Sequence, residues 1–156
     1  MSIEKAKEHL KAKGYLDRLI EPEASSATVE LAAEALGCRP AEIAKTLSFL
    51  VGEKPVMVLA AGTARVDNRK FKDTFHTKAK MIPFDQVEEL TGHAPGGVCP
   101  FGANTGVRVY LDESLKAYEY VYPAAGNDHS GVKLTVSELE DCADALGWVD
   151  VCKETV

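Results

Sequence analysis

The stretch VMVLAAG, residues 56–62, is the strongest constraint in the chain. An unbroken apolar run that closes on a glycine has no polar face to offer water, so a strand built from it must be covered on both sides. IAKTLSFLV, residues 43–51, comes just before it. It alternates Ile43, Lys45, Leu47, Phe49 and Val51 against Ala44, Thr46, Ser48 and Leu50, the period of a strand. GEKP between the two reads as a turn, so the pair is expected to form an antiparallel hairpin whose second strand is central in a sheet.

Helical patterns surround this hairpin. Ile3, Ala6 and Leu10 share a face until Gly14 stops the run, and Val29, Ala32, Ala33 and Leu36 do the same before Gly37. RPAEIA allows one more turn. DNRKFKDTF predicts a helix capped by Asp67, with Phe71 and Phe75 on one side. AKMI follows as a short strand, and PFDQVEELTG as a helix with Val87 and Leu90 inward and Gly92 at its end. GVRVYLD and AYEYVYP read as strands separated by the helical turn ESLK, VKLTV as a further strand, and SELEDCADALG as the final helix. Strands and helices alternate irregularly. The expected fold is therefore α/β (α+β), one domain over 1–156, with a strongly curved, mixed, partly barrel-like β-sheet and helices packed outside.

Charge and cysteine usage narrow the function classes. Eighteen Lys and Arg against 24 Asp and Glu give a net charge of −6, which argues against a protein that grips duplex nucleic acid with its whole surface. One segment departs from this. Residues 65–80 hold Arg65, Arg69, Lys70, Lys72, Lys78 and Lys80 against Asp67 and Asp73, a local balance of +4 in a chain whose remainder is −10. Such a patch is either a solvated helix face or a dock for a few phosphates. Cys38, Cys99, Cys142 and Cys152 are widely spaced with no C-x-x-C pair, so neither a zinc cluster nor a redox dithiol is expected, and no metal or cofactor is implied. The charged start MSIEKAKEHLKAKG lacks a signal-peptide core and no later window reads as a membrane span. The expectation is a cytoplasmic protein with no membrane partner.

Three features could carry chemistry. Lys45 shares a strand face with Ile43, Leu47 and Phe49, where an ammonium is costly without a partner. It either snorkels to water or lines a pocket that receives an anion or a polarised carbonyl. GHAPGGVCPFG, residues 92–102, is poor in reactive side chains and rich in Gly and Pro. It is either a rigid turn or a loop whose amides at Gly96, Gly97 and Val98 converge as an oxyanion hole. The pattern G-x-x-x-x-G-K-[ST] is absent, which sets aside an ATP-type phosphate loop. Cys99 with His93 invites a cysteine-nucleophile reading, against the commoner buried thiol. His129, in GNDHSG, is either a surface histidine or a ligand contact.

IAKTLSF, the GHAPGGVCPFG loop and YPAAGNDHSGVKLT, in that order, resemble the YbaK/EbsC family, which is related to the editing domain of bacterial prolyl-tRNA synthetases. The resemblance runs from about Ser26 to Leu139. It implies trans-editing, the hydrolysis of the ester joining a wrong amino acid to the 3′-terminal adenosine of a tRNA, with no metal and no covalent intermediate. Lys45 matches the family's pocket lysine, and Gly96 and Gly97 match the loop facing the scissile carbonyl. The substrate contacts then expected are Thr28, Thr46, Ser48, His93, Val98, Pro100, Gly126, His129 and Ser130, with Ala27 and the 124–130 loop helping to set pocket volume. Arg65, Arg69, Lys70 and Lys72 are expected to meet tRNA phosphates. The implied partners are a tRNA acceptor end and an aminoacyl-tRNA synthetase, for a monomer or weak dimer. A non-catalytic module binding a small molecule, tRNA or protein on the same fold is the competing class.

Overall fold

The computed structural model describes residues 2–25 and 28–154. Ser26 and Ala27 lie outside the described residues, so the expected pocket contribution of Ala27 is not among the positions described below. The chain opens with helix α1 (Ser2–Lys13), a two-residue strand β1 (Leu19–Ile20) and helix α2 (Val29–Leu36). The hairpin follows as β2 (Ala44–Val51) and β3 (Lys54–Ala61), then β4 (Ala64–Val66) and α3 (Asn68–Phe75). Next come α4 (Val87–Thr91), β5 (Arg108–Asp112), β6 (Tyr120–Val121), β7 (Gly131–Val132) and β8 (Leu134–Thr135). The chain closes with α5 (Val136–Cys142), β9 (Gly147–Val149) and β10 (Cys152–Glu154).

The main sheet has the order β2-β3-β5-β9. β2 and β3 are antiparallel in unbroken register from Ala44↔Ala61 to Val51↔Lys54, and β5 joins β3, and β9 joins β5, in parallel. The sheet is mixed, as expected. It is not closed: β1 with β7, β4 with β10, and β6 with β8 form separate two-stranded ribbons, so the partly barrel-like element of the expectation is not borne out. The edge strands of the main sheet are β2 and β9, and these do not pair with each other. β3 is the central strand, with Val56 to Ala61 all buried, as its apolar run requires.

Local signals set the helix ends. Thr28 Oγ1 accepts from the Leu31 amide and starts α2, while Gly37 ends it at φ +73°. Asp67 accepts from the amides of Arg69 and Lys70 and starts α3. Its Phe71 packs against Phe49 with ring centroids 4.7 Å apart, and Phe75 against Tyr110 at 5.4 Å. Helix α3 therefore covers the face of β2 that carries Phe49. The final helix stops at Cys142, earlier than expected, and Asp144 turns the chain at φ +53°.

Two separate pieces of chain reach the outer edge of β2. At its start the Ala44 amide donates to the Tyr122 carbonyl at 3.1 Å; at its end Ile82 N–H donates to the Ser48 carbonyl at 3.1 Å and Leu50 N–H to that of Lys80 at 2.8 Å. Between them the edge is open, and that opening becomes the site.

Candidate functional site

A cavity of about 370 Å³ lies against the outer edge of β2. Ala44, Lys45, Thr46 and Ser48 form its floor, Val29, Ala32 and Leu36 of α2 one wall, and Pro95, Gly96 and Val98 of the glycine-rich loop another. Thr28, Tyr122, Ala124 and Ser130 complete the inner lining, and Met81 and Phe84 stand at its rim. The strand lysine and part of the glycine loop therefore share one cavity. Phe84 is 79% exposed and Met81 52%, the apolar positions that sequence reasoning missed. They were hidden because Val87 and Leu90 already account for the inward face of that helix, and an exposed aromatic leaves no periodic signal.

Lys45 is half-buried, and its Nζ donates to the carbonyl oxygens of Gly62 at 3.3 Å and Ala64 at 2.5 Å. The first carbonyl belongs to the turn after β3 and the second to the first residue of β4, so a cation on a largely apolar face is held by backbone dipoles.

The loop is built on a turn. Ala94, Pro95, Gly96 and Gly97 place Gly96 at φ +93°, and the Gly97 amide donates to the Ala94 carbonyl at 3.0 Å. Pro at the second position and a positive-φ glycine at the third are what a type II turn needs. The Gly97 amide is thus engaged inside the loop, which corrects the expectation that it is offered to a substrate. Gly97 instead packs face to face on the next loop, where an added Cβ would lie 2.5 Å from the Gly126 carbonyl carbon.

Gly97, Gly126 and His129 line a second cavity of about 390 Å³ on the other side of Pro95, together with Ala94, Asn127 and Asp128. His129 is exposed, its Nδ1 3.2 Å from Asp128 Oδ1 and its amide bonded to Asn127 Oδ1. The structure therefore separates His129 and Gly126 from the Lys45 cavity. Ser130 holds this loop from within, its Oγ accepting from the Ala125 amide at 3.1 Å.

His93 and Pro100 are buried and line neither cavity. His93 Nε2 lies 2.7 Å from the Phe101 carbonyl, which fixes the proton on that nitrogen, and burial lowers the ring's pKa. It is a loop anchor. Cys99 Sγ sits 3.6 Å from the same Nε2, but burial pushes the thiol up to about 12. A protonated thiol facing a nitrogen already committed as a donor is no nucleophile.

The basic segment divides. Arg65, Arg69 and Lys72 are exposed, while Lys70 is tied to Asp150 Oδ1 and the Cys152 carbonyl, each at 3.0 Å. Because α3 packs on the Phe49 face, Arg69, Lys70 and Lys72 lie across β2 from Thr46 and Ser48, while Arg65 belongs to β4. Lys78 and Lys80, both exposed, belong instead to the segment that runs along the β2 edge to the rim.

An open mixed sheet, with an apolar cavity at one strand edge and a glycine-proline loop over it, defines a small-ligand site of α/β type. Residues 23–142 match the family model of the aminoacyl-tRNA editing domain, so the chain belongs to that family, of the YbaK/EbsC type. The uncharacterised YwhH protein of Bacillus subtilis (strain 168) is 43% identical over 155 residues, 99% of each chain. The proline–tRNA ligase of Bacillus licheniformis is 31% identical over 93 residues, covering 58% of this chain and 16% of the ligase. A solved structure of a candidate trans-editing enzyme for prolyl tRNA synthetase superposes with a TM-score of 0.87 at 31% identity over 97% of both chains. Among the described residues no helix is long and apolar enough to cross a membrane.

Proposed function

We propose that this chain is a trans-editing deacylase that hydrolyses the ester linking a small amino acid to a mischarged tRNA, tRNA-Pro or a related one. The observation that carries the reading is the meeting of Lys45, Gly96 and Val98 in one cavity, in a chain of the editing-domain family. An aminoacyl ester is already activated, so holding it, placing a water and stabilising the oxyanion suffice without a strong nucleophile. Each well-placed donor to the oxyanion contributes about 3 kcal/mol. With the Gly97 amide assigned to the turn, the loop donors left for that role are those of Gly96 and Val98, and the Lys45 ammonium adds positive charge to the cavity wall. Phosphates of the acceptor end would meet Lys78 and Lys80 beside the rim before they reach Arg65, Arg69 or Lys72.

A binding-only role has one specific observation in its favour: Lys45 and Gly97 both spend donors on backbone carbonyls. Incubation with tRNA charged with alanine, serine, threonine or cysteine separates the two. Release of amino acid above the uncatalysed rate supports the deacylase, and binding without release across the panel supports the module.

A further inference from the structure

The open stretch of the β2 edge is centred on Thr46. Residues of an antiparallel strand turn their N–H and C=O alternately toward one neighbour and the other. Ala44, Ser48 and Leu50 direct theirs outward, to Tyr122, Ile82 and Lys80. The register with β3 has no bulge, pairing Thr46 with Leu59 between Ala44↔Ala61 and Ser48↔Met57. The N–H and C=O of Thr46 therefore also point outward, into the gap between Tyr122 and Ile82 where the cavity lies. Among the described residues no bond reaches either group, and the buried Thr46 Oγ1 likewise has no partner. A buried hydroxyl with no partner is rare in folded chains, and here it sits beside two unpaired main-chain groups that face a cavity, so the three together call for a ligand.

The geometry points to an α-aminoacyl group docking here as a one-residue strand: its amine donates to the Thr46 carbonyl and its ester carbonyl accepts from the Thr46 amide. This is the reciprocal pairing that two facing residues make in an antiparallel ladder, and an α-amino acid carries both groups at the required spacing. The assignment rests on the deacylase reading for its substrate. It also gives the scissile oxygen a donor from the strand, opposite the Gly96 loop, in place of the one Gly97 does not offer. The lining of the cavity contains no Asp or Glu, so the amine is recognised by a neutral carbonyl acceptor and not by an ion pair.

Two measurements test it. In the first, tRNA carrying alanyl, lactoyl or propionyl esters is compared; the lactoyl hydroxyl keeps a donor at the α-position and the propionyl group has none. We expect kcat/KM for propionyl-tRNA to fall at least about tenfold below alanyl-tRNA, with lactoyl-tRNA between them. Equal rates for propionyl and alanyl esters would overturn the docking mode while leaving the deacylase reading intact. In the second, hydrogen exchange at the Thr46 amide is followed with and without a non-hydrolysable 3′-alanylamido-adenosine. Exchange should be faster at Thr46 than at Lys45 or Leu47 in the free protein and slow on binding. Bound analogue with unchanged Thr46 exchange refutes the pairing. Protection at Thr46 in a protein that hydrolyses none of the esters would uphold the pairing and remove the hydrolase.

Discussion

Gly97 lies flat against the backbone of Gly126, close enough that a methyl group on its Cα would sit 2.5 Å from the Gly126 carbonyl carbon and 2.6 Å from its oxygen. The glycine-proline loop and the loop carrying Gly126 are therefore packed main chain to main chain. Gly97→Ala should separate them, lower stability by about 1–3 kcal/mol as overpacking does, and reduce deacylation through displacement of Gly96 and Val98. Gly96→Ala meets only Asp128 Cβ at 3.7 Å but must hold φ +93°, so its cost is backbone strain of about 1–2 kcal/mol. Urea midpoints and single-turnover rates of the two variants, measured side by side, check this ordering of causes.

Lys45→Ala is predicted to abolish deacylation. It also deprives the Gly62 and Ala64 carbonyls of their donor, a loss of about 1–3 kcal/mol if they stay buried. The stability effect is the smaller problem because it is separable. At a temperature where circular dichroism shows the variant folded, activity should remain below about a hundredth of wild type, the scale of a lost electrostatic group. Retained activity in the folded variant would remove the lysine from the mechanism.

Cys99→Ala should leave the rate within about threefold of wild type, because a thiol held near 12 supplies no thiolate at neutral pH. Its cost is packing, about 1 kcal/mol for the buried atom lost. Iodoacetamide labelling followed by mass spectrometry should leave Cys99 unmodified in the native protein and modify it in urea. Loss of hydrolysis in a folded Cys99→Ala protein would reinstate the cysteine as nucleophile.

Burial lowers the His93 pKa below its ordinary 6.5. Below that value the unfolded chain takes up a proton that the folded one refuses, so the unfolded state binds more protons and stability falls as pH falls. Above it the ring is neutral in both states and contributes no slope. Wild type should thus lose stability over the interval below about pH 6.5, and His93→Gln should flatten it. Denaturant midpoints across the interval provide the check. An unchanged slope in the variant would assign the effect elsewhere.

The parts of the fold legible in sequence are those written locally. The hairpin of β2 and β3 is announced by alternation followed by an apolar run, and Thr28 and Asp67 start their helices by side-chain bonds to amides a few positions on. What was not legible is pairing at long range. β9 beside β5, β10 beside β4 and the 80–82 segment along β2 involve partners with no local signature, and without them the sheet was expected to curl toward a barrel. The site divides in the same way. Lys45 and Gly96, singled out from strand alternation and a glycine-proline loop, line one cavity, whereas Gly97 packs on Gly126 and His93 bonds within its own loop. Residue type alone does not distinguish these uses.

The last described strand, Cys152–Glu154, lies along Ala64–Val66, with Glu154 opposite the residue whose carbonyl receives the Lys45 ammonium. Lys70 clasps the same strand through the Cys152 carbonyl. Strand β10 thus tethers the anchor of a lysine that lies far earlier in the sequence. Loss of the β10 pairing is therefore expected to loosen the carbonyl anchor of the Lys45 ammonium.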